Sequence, residues 1–351
     1  MKAMKKWCAL ALAGAMTCSL AACGAPSKDA SAAAEGSTGE NGLTTVNFQL
    51  KWLPSVQFMG FYVAQEKGYY EEEGIDLNMI SGGSDIVSAS QVGIGAADIG
   101  VSNLYGLLPY EEDGYPIVEV GQVFQSGSLV LVSKKETGVN GPEDLKGKKI
   151  GAWLGVADYP IYSLLNKFGM STDDVTMVSQ DYTMDALLND ELDVASANLY
   201  NEYLIMLESG YSEDDLNVIN FSDYDCDMLE DAVICNTDWL KDHEDLAEGF
   251  LRASMRGWAD AVADPEAAAE IVWKYVDQSA TTKEHVIEGA KKVAELVTPA
   301  SGSTDASEML TMGGDKIQNT INSCLTYGII DQTPDTVFDT TYWDAASASL
   351  K

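Results

Sequence analysis

The sequence predicts an α/β protein built from two lobes, and three observations carry that prediction. Strands and helices alternate from Val46 onward, beginning with Val46, Phe48 and Leu50, which alternate with polar residues as in a half-buried strand. The same alternation restarts after an apolar stretch at 128–133. The chain has 351 residues, enough for two domains of ~150 residues each. Successive β-α-β units imply a parallel sheet with right-handed crossovers.

The first repeating unit contains the stretch 51–75, around which the rest of the chain is organised. A strand ends at Trp52, a turn at Pro54 and Ser55 starts a helix, and Gly68 can end that helix. The other elements predicted for this unit are a strand at 75–79, a helix at 86–92 and strands at 99–101 and 115–120.

The second unit and the tail complete the predicted architecture. The second unit contains strands at 149–153, 175–178, 193–197 and 216–219, and the tail contains helices at 245–263, 266–275, 282–296 and 307–327. A helical tail of this length needs a sheet to cover, and the first unit lacks covering helices. The predicted first lobe is therefore 44–132 with 236–351, and the predicted second lobe is 133–235. Two crossings would form a hinge of two strands, suited to closing around a ligand.

The first 43 residues are expected to lie outside the fold. Three lysines precede an apolar run that is too short to span a membrane, so 1–22 resembles a lipoprotein signal peptide. It ends in Leu-Ala-Ala-Cys, which resembles the bacterial lipobox and makes Cys23 the expected lipidation site, although a plain secretory signal is the alternative. Residues 23–43 are small and polar and are predicted to be a flexible tether.

Charge and cysteine content exclude several classes of protein. The formal net charge of −34 argues against a nucleic-acid partner, which requires a basic surface. A disulfide between Cys226 and Cys235 is possible outside the cell, and buried free thiols are equally compatible with the odd number left with Cys324. No cysteine–histidine spacing is typical of a metal site, and no cofactor is expected.

Catalytic signatures are absent from the sequence. It contains neither a phosphate-binding GxxxxGK[ST] loop nor a GxSxG motif. The two histidines, His243 and His285, fall on tail helices and are expected at the surface. We therefore predict a binding protein with no catalytic residues.

Polar and aromatic residues at strand ends form the candidate site, because in an open parallel sheet such loops share one edge. Trp52 could instead belong to the core, Gly155 could serve a tight turn, and Asn198, Asn201 and Glu202 could merely cap a helix. The candidates are Trp52, Gln57, Phe58, Ser84, Ser102, Asn103 and Gln125 in the first lobe and Trp153, Gly155, Asp158, Tyr159, Asn198, Tyr200, Asn201 and Glu202 in the second.

The chemistry of these candidates restricts the ligand. Aromatic faces stack on planar rings, at roughly 1–3 kcal/mol per ring in base-stacking systems. Amide and hydroxyl groups supply directional hydrogen bonds, and no arginine or lysine occurs at these loop positions to bind an anion. A neutral or cationic aminated heterocycle fits best.

The motifs resemble a known family. Trp52-Leu-Pro54, the run 60–75, Ser81-Gly-Gly-Ser-Asp85 and Asn198-Leu-Tyr-Asn-Glu202 are similar to ABC-transporter solute-binding proteins for thiamine pyrimidine precursors, kin to aliphatic-sulfonate binders and fungal pyrimidine synthases. The resemblance implies a type II periplasmic-binding-protein fold with a permease and an ATPase as partners. Such binders often carry a histidine after Trp-x-Pro, where this chain has Gln57 and Phe58.

The expected function is that of a monomeric, lipid-anchored solute-binding protein at the outer face of the bacterial cytoplasmic membrane. Its expected ligand is a planar heterocycle such as a thiamine pyrimidine precursor. Riboflavin or an aliphatic sulfonate is the alternative ligand. A sensor that docks on a receptor and a pyrimidine-synthesis enzyme are the other functions considered.

Overall fold

The computed structural model describes residues 42–155, 157–313 and 315–351. The predicted signal peptide, Cys23 and the tether up to residue 41 lie outside these ranges. The strands are β1 (Thr44–Gln49), β2 (Ile75–Ile80), β3 (Ile99–Ser102), β4 (Ile117–Gln122), β5 (Leu129–Lys134), β6 (Lys149–Ala152), β7 (Thr176–Ser179), β8 (Val194–Asn198), β9 (Leu216–Asn220) and β10 (Ala232–Asn236).

Helices surround these strands and include all the longer elements of the tail. They are α1 (Met59–Glu66), α2 (Tyr69–Glu72), α3 (Ser88–Gly93), α4 (Leu104–Glu112), α5 (Tyr159–Lys167), α6 (Asp185–Leu188), α7 (Glu202–Glu208), α8 (Thr237–Asp242), α9 (Glu244–Ala263), α10 (Pro265–Val272), α11 (Lys283–Val297), α12 (Asp315–Thr326) and α13 (Thr341–Ser349). Within the described ranges, none of these helices is both long enough and apolar enough to cross a bilayer.

The described strands form two sheets of five, in the orders β2-β1-β3-β10-β4 and β7-β6-β8-β5-β9. Both sheets are mixed rather than purely parallel. β10 runs antiparallel to β3 and β4, and β5 runs antiparallel to β8 and β9. Each of these strands enters its sheet from the other lobe, so it starts at the edge where its neighbours end and must run against them.

The pairing moves both lobe boundaries toward the N-terminus. The apolar strand placed at the end of the first lobe is β5, which pairs with β8 and β9 in the second sheet. The predicted second lobe ends at residue 235 and so contains most of β10, but β10 pairs with β3 and β4 in the first sheet. The chain therefore crosses in residues 123–128 and returns in residues 221–231, which we call the crossing segments.

The tail covers the first sheet, as predicted from its length. α9 packs against α1, and α10, α11 and α13 extend the same core, which contains Phe48, Phe250 and Trp258. The single helix predicted at 307–327 is wrong: a short 3-10 turn, Ala306–Glu308, is separated from α12. Leu310 and Gly313 adopt φ of +58° and +107°, which an α-helix cannot accommodate.

The cysteines of the described chain resolve the alternatives left open by their number. Cys226, Cys235 and Cys324 are free and buried, and Cys226 and Cys235 form no disulfide. Burial raises the thiol pKa of each, which keeps the thiols protonated and unreactive.

Candidate functional site

A cavity of about 920 Å³ lies between the two sheets, at the ends of the parallel strands. It is the size of a pocket for a drug-like ligand, roughly 300–1,000 Å³. Loops from both lobes line it. The predicted residues that the structure brings together there are Trp52, Gln57, Ser84, Ser102, Asn103, Trp153, Gly155, Tyr159, Asn198, Tyr200, Asn201 and Glu202.

Three predicted residues do not line this cavity. Phe58 is fully buried in the core of the first lobe, because the helical turn that starts at Val56 points it inward. The Gln125 amide donates to the carbonyls of Gln122 and Thr311, at 2.7 and 3.1 Å. Asp158 is 2% exposed, and its carboxylate accepts from the Gly155 N–H and the Tyr162 hydroxyl. Their roles are structural.

Three aromatic rings form one wall of the cavity. The Tyr182 ring lies 4.5 Å from the Trp52 ring and 6.0 Å from the Trp153 ring, centroid to centroid, and is nearly parallel to Trp153 at 21°. Trp52 belongs to the first lobe and the other two to the second, so the group bridges the lobes. The candidate set missed Tyr182, although it follows β7 and the same strand-end rule applies to it.

A hydrogen bond across the lobes leaves one amide donor free. The Tyr200 hydroxyl donates to Gln57 Oε1, and both side chains are buried. Burial, together with the charges of Asp231 and Glu230, raises the pKa of Tyr200 well above its usual value, so the hydroxyl keeps its proton. Gln57 Nε2 has no hydrogen-bond partner among the described residues. A buried donor of this kind is costly unless a ligand satisfies it.

The Asn198–Glu202 loop uses its own donors to hold Glu202. One carboxylate oxygen accepts from Asn198 N at 2.9 Å and from Asn198 Nδ2 at 3.1 Å, and the other accepts from Asn201 Nδ2 at 2.8 Å. Burial raises the pKa of Glu202, and these hydrogen bonds oppose that rise. The helix-capping role considered as the alternative is not observed, because the side chain of the N-cap residue Asn201 accepts no backbone hydrogen bond from α7. The carboxylate shapes the wall that carries Asn198 and Asn201.

A cation does line the cavity, contrary to expectation. Lys51 extends from the end of β1, forms an ion pair with Asp231 and donates to Asn103 Oδ1 at 2.6 Å. Asp231 is fully buried, and burial raises its pKa to about 6 although Lys51 opposes the shift. The charge of Lys51 is thus already met by a carboxylate.

His285 is also a lining residue, so the expectation of a surface position is wrong for it. It lies on α11 of the first lobe, with Nε2 2.9 Å from Asn201 Oδ1 and Nδ1 3.0 Å from Glu208 Oε1 in the second lobe. Its side chain is 11% exposed. Sequence patterns could not indicate this position, because its partners are 84 and 77 residues away along the chain.

The site offers hydrogen-bonding and stacking groups rather than metal ligands. Within the described ranges, no group of three or more histidine, cysteine, aspartate or glutamate side chains is arranged to hold a metal ion. The aromatic wall can stack on a planar ring, and the amides around it can fix the orientation of that ring.

The architecture is that of periplasmic binding proteins. A sulfonate-binding protein of Methylobacillus flagellatus superposes with a TM-score of 0.65 at 14% identity, covering 88% of this chain and 95% of that one. The nitrate-binding protein of Synechocystis superposes with a TM-score of 0.62 at 14% identity, covering 88% and 89%. At these identities the likeness concerns the fold alone.

The chain belongs to the family described as NMT1/THI5 like, whose sequence profile matches residues 55–268. It is 26% identical over 270 residues to a riboflavin-binding protein of Chloroflexus aurantiacus, covering 74% of this chain and 76% of that protein. It is 24% identical over 230 residues to a 4-amino-5-hydroxymethyl-2-methylpyrimidine phosphate synthase of Schizosaccharomyces pombe, covering 63% and 66%.

Proposed function

We propose that the protein is the solute-binding component of an ABC importer and captures a small planar heterocycle such as a thiamine pyrimidine precursor. The observation that carries this proposal is the cavity between the lobes, with stacked aromatic rings on one wall and a free amide donor at Gln57. Two crossing segments join the lobes, which allows them to open and close around a ligand.

Riboflavin is the second candidate ligand, favoured by size. At about 920 Å³ the cavity lies in the upper part of the usual range and can hold a fused ring system. The relative from Chloroflexus aurantiacus is named as a riboflavin-binding protein. An aliphatic sulfonate fits less well, because the charge of Lys51 is already met by Asp231.

Binding rather than catalysis is proposed, although several relatives are named as synthases. The resemblance to fungal pyrimidine synthases implies, for a synthase, chemistry that consumes a histidine in the site. The histidine on the cavity wall, His285, has both ring nitrogens engaged by Asn201 and Glu208. Incubation with ligand should therefore leave the intact mass of the protein unchanged, and a loss of mass at His285 would contradict the proposal.

We also propose a cellular location and partners for the protein. Lipidation of Cys23 would hold it, as a monomer, at the outer face of the cytoplasmic membrane, where it would deliver the ligand to a permease that a cytoplasmic ATPase drives. No nucleic-acid role is proposed, because the net charge is −34. Cys23→Ala should abolish incorporation of labelled palmitate and release the protein in soluble form, and continued membrane attachment of this variant would contradict the anchor.

Isothermal titration of the full chain tests the ligand class directly. The probes are 4-amino-5-hydroxymethyl-2-methylpyrimidine, riboflavin and an alkanesulfonate. We expect at least one heterocycle to bind with Kd near or below ~1 μM, about −8 kcal/mol. Tight binding of the sulfonate with no heterocycle bound would contradict the proposal.

Tyr182→Ala is expected to weaken heterocycle binding about tenfold, because one stacking face is lost at roughly 1–3 kcal/mol. Tyr182 is 44% exposed, so the melting temperature should change little. Trp153 is a poorer test, since it is 6% exposed and its Nε1 donates to the Asp181 carbonyl at 2.9 Å inside the second lobe.

Phe338→Ala is the matched control, because Phe338 is 38% exposed and does not line the cavity. Titration of both variants gives the comparison. Equal affinities for Tyr182→Ala and Phe338→Ala would show that stacking on Tyr182 does not contribute to binding.

A further inference from the structure

Glu230 lies on the cavity wall between the two lobes. It does not directly follow a strand, so the sequence patterns did not indicate it. It lies in the second crossing segment, lines the cavity and is 5% exposed. Its Oε2 accepts from the N–H and the hydroxyl of Ser128, at 2.7 and 2.5 Å, and Ser128 belongs to the first crossing segment. Both connections between the lobes therefore hold this carboxylate in place.

The other oxygen of Glu230 is available. Within the described ranges, Oε1 of this residue forms no hydrogen bond, and no lysine or arginine pairs with the carboxylate. Lys51, the cation that lines the cavity, is committed to Asp231 and Asn103. Burying a carboxylate oxygen without a hydrogen-bond partner costs free energy, and that cost is relieved when a ligand supplies a donor.

The neighbouring carboxylates do not share this property. Both oxygens of Glu202 are occupied by the amides of its own loop. Asp231 is paired with Lys51, is fully buried and is not among the residues that line the cavity. Glu230 is thus a buried lining carboxylate that can still accept a hydrogen bond from a bound molecule, whereas Asp277, which also lines the cavity, is exposed to solvent.

Gln57 contributes a hydrogen-bond donor to the same cavity, where Glu230 contributes an acceptor. Its Oε1 is taken by the Tyr200 hydroxyl, which leaves Nε2 as a buried donor without a partner among the described residues. A complementary ligand needs an acceptor for this donor and a donor or positive charge for Glu230. An anion would bring its negative charge against Glu230, and Lys51, the lysine that lines the cavity among the described residues, is already paired with Asp231.

We infer that Glu230 is a specificity-determining residue that selects an amino-substituted or protonated nitrogen heterocycle and rejects anionic ligands. This inference rests on the proposed function and adds to it the chemical group of the ligand that the site recognises. Gln57 contributes the second contact, to a ring nitrogen or carbonyl of the same molecule.

A matched pair of probes tests the inference by titration. The first is 4-amino-5-hydroxymethyl-2-methylpyrimidine, and the second carries a methyl group in place of its amino group. The wild-type protein should bind the amino compound at least tenfold more tightly. Glu230→Gln should weaken binding of the amino compound at least tenfold and should reduce the preference between the two compounds to less than threefold.

Two further measurements keep the test decisive. Glu191→Gln removes the same charge from an exposed position of the second lobe and should change affinity less than twofold. Glutamine at 230 retains an acceptor for Ser128, so melting temperatures should show that the fold survives. If Glu230→Gln does not fold, the wild-type protein alone tests the inference, and equal affinities for the amino and methyl compounds would overturn it.

The possible failures are distinguishable. Heterocycle binding with no preference for the amino group, or with affinity unchanged by Glu230→Gln, would overturn the inference and leave the proposed function standing. Binding of neither pyrimidine nor riboflavin by the wild-type protein would overturn both.

Discussion

Replacing Glu119 with glutamine is expected to stabilise the protein by on the order of 3 kcal/mol at neutral pH. Glu119 lies in the middle of β4 and is fully buried, and its carboxyl oxygens have no hydrogen-bond partner among the described residues. Burial raises its pKa from 4.5 to about 8. Each unit of difference between pH and the pKa of the ionising state is worth about 1.4 kcal/mol. Between pH 4.5 and pH 7, about 2.5 units, ionisation of Glu119 stabilises only the unfolded chain.

The sign of the pH dependence follows from the raised pKa. Below pH 4.5 both states are protonated and Glu119 has no effect. Between pH 4.5 and about 8 only the unfolded chain ionises, so the free energy of unfolding falls as pH rises, and above about 8 the loss is complete. Glu111 adds a similar loss up to about pH 9, because burial and then the charge of Glu119 raise its pKa.

Denaturant unfolding of wild-type and Glu119→Gln proteins at about pH 4, 6 and 8 measures this effect. The difference in unfolding free energy should be small at the lowest pH and should grow toward the highest. Glu191→Gln, at an exposed position, is the control and should follow the wild-type profile. A difference that does not change with pH would show that Glu119 is not protonated in the native state.

Gly257→Ala is expected to destabilise the protein by about 1–2 kcal/mol. Gly257 lies on α9 where it crosses α1, and an added Cβ would fall 2.2 Å from the Gly60 carbonyl oxygen and 2.6 Å from Ala64 Cβ. Backbone cannot yield as a flexible side chain can, so the two helices must separate. Such overpacking costs typically ~1–3 kcal/mol or more, and it outweighs the ~1 kcal/mol that alanine gains in helix propensity.

Gly106→Ala provides the contrast, on another helix of the first lobe. Its added Cβ would meet Ser102 Oγ at 3.7 Å and Asn103 Cβ at 3.8 Å, which are ordinary contacts. This variant should therefore be as stable as the wild type or slightly more stable. Thermal unfolding of the two variants compares them, and equal melting temperatures would mean that the helix crossing tolerates a methyl group.

Twelve of the fifteen residues predicted from the sequence line the cavity, because strand ends converge in an open sheet. Trp52, Trp153 and Asn198 follow strands and meet as expected. Patterns of this kind predict which backbone segments border the cavity, but they do not predict where the end of a long side chain lies. Lys51 is the example, since it reaches Asp231 from the loop after β1.

The lobe boundaries were misplaced because strand periodicity does not specify a pairing partner. β5 is apolar and fully buried, and such a strand suits the centre of either sheet. Its membership of the second sheet depends on its register with β8 and β9, in which Val130 faces Ala197 and Asn220. Likewise, His285 and Glu230 reach the cavity through contacts between lobes, which no local pattern encodes.

The position of the two crossing segments has a further consequence for how such a chain can be altered. Residues 129–220 form one uninterrupted block, and its two ends are neighbours, because Val130 pairs with Asn220. A block whose ends meet can be exchanged as a cassette without rethreading the rest of the chain, since closing it costs little chain entropy. The part of the ligand-facing wall that the second lobe supplies could then be replaced in one graft, while the helices that cover the first sheet stay as they are.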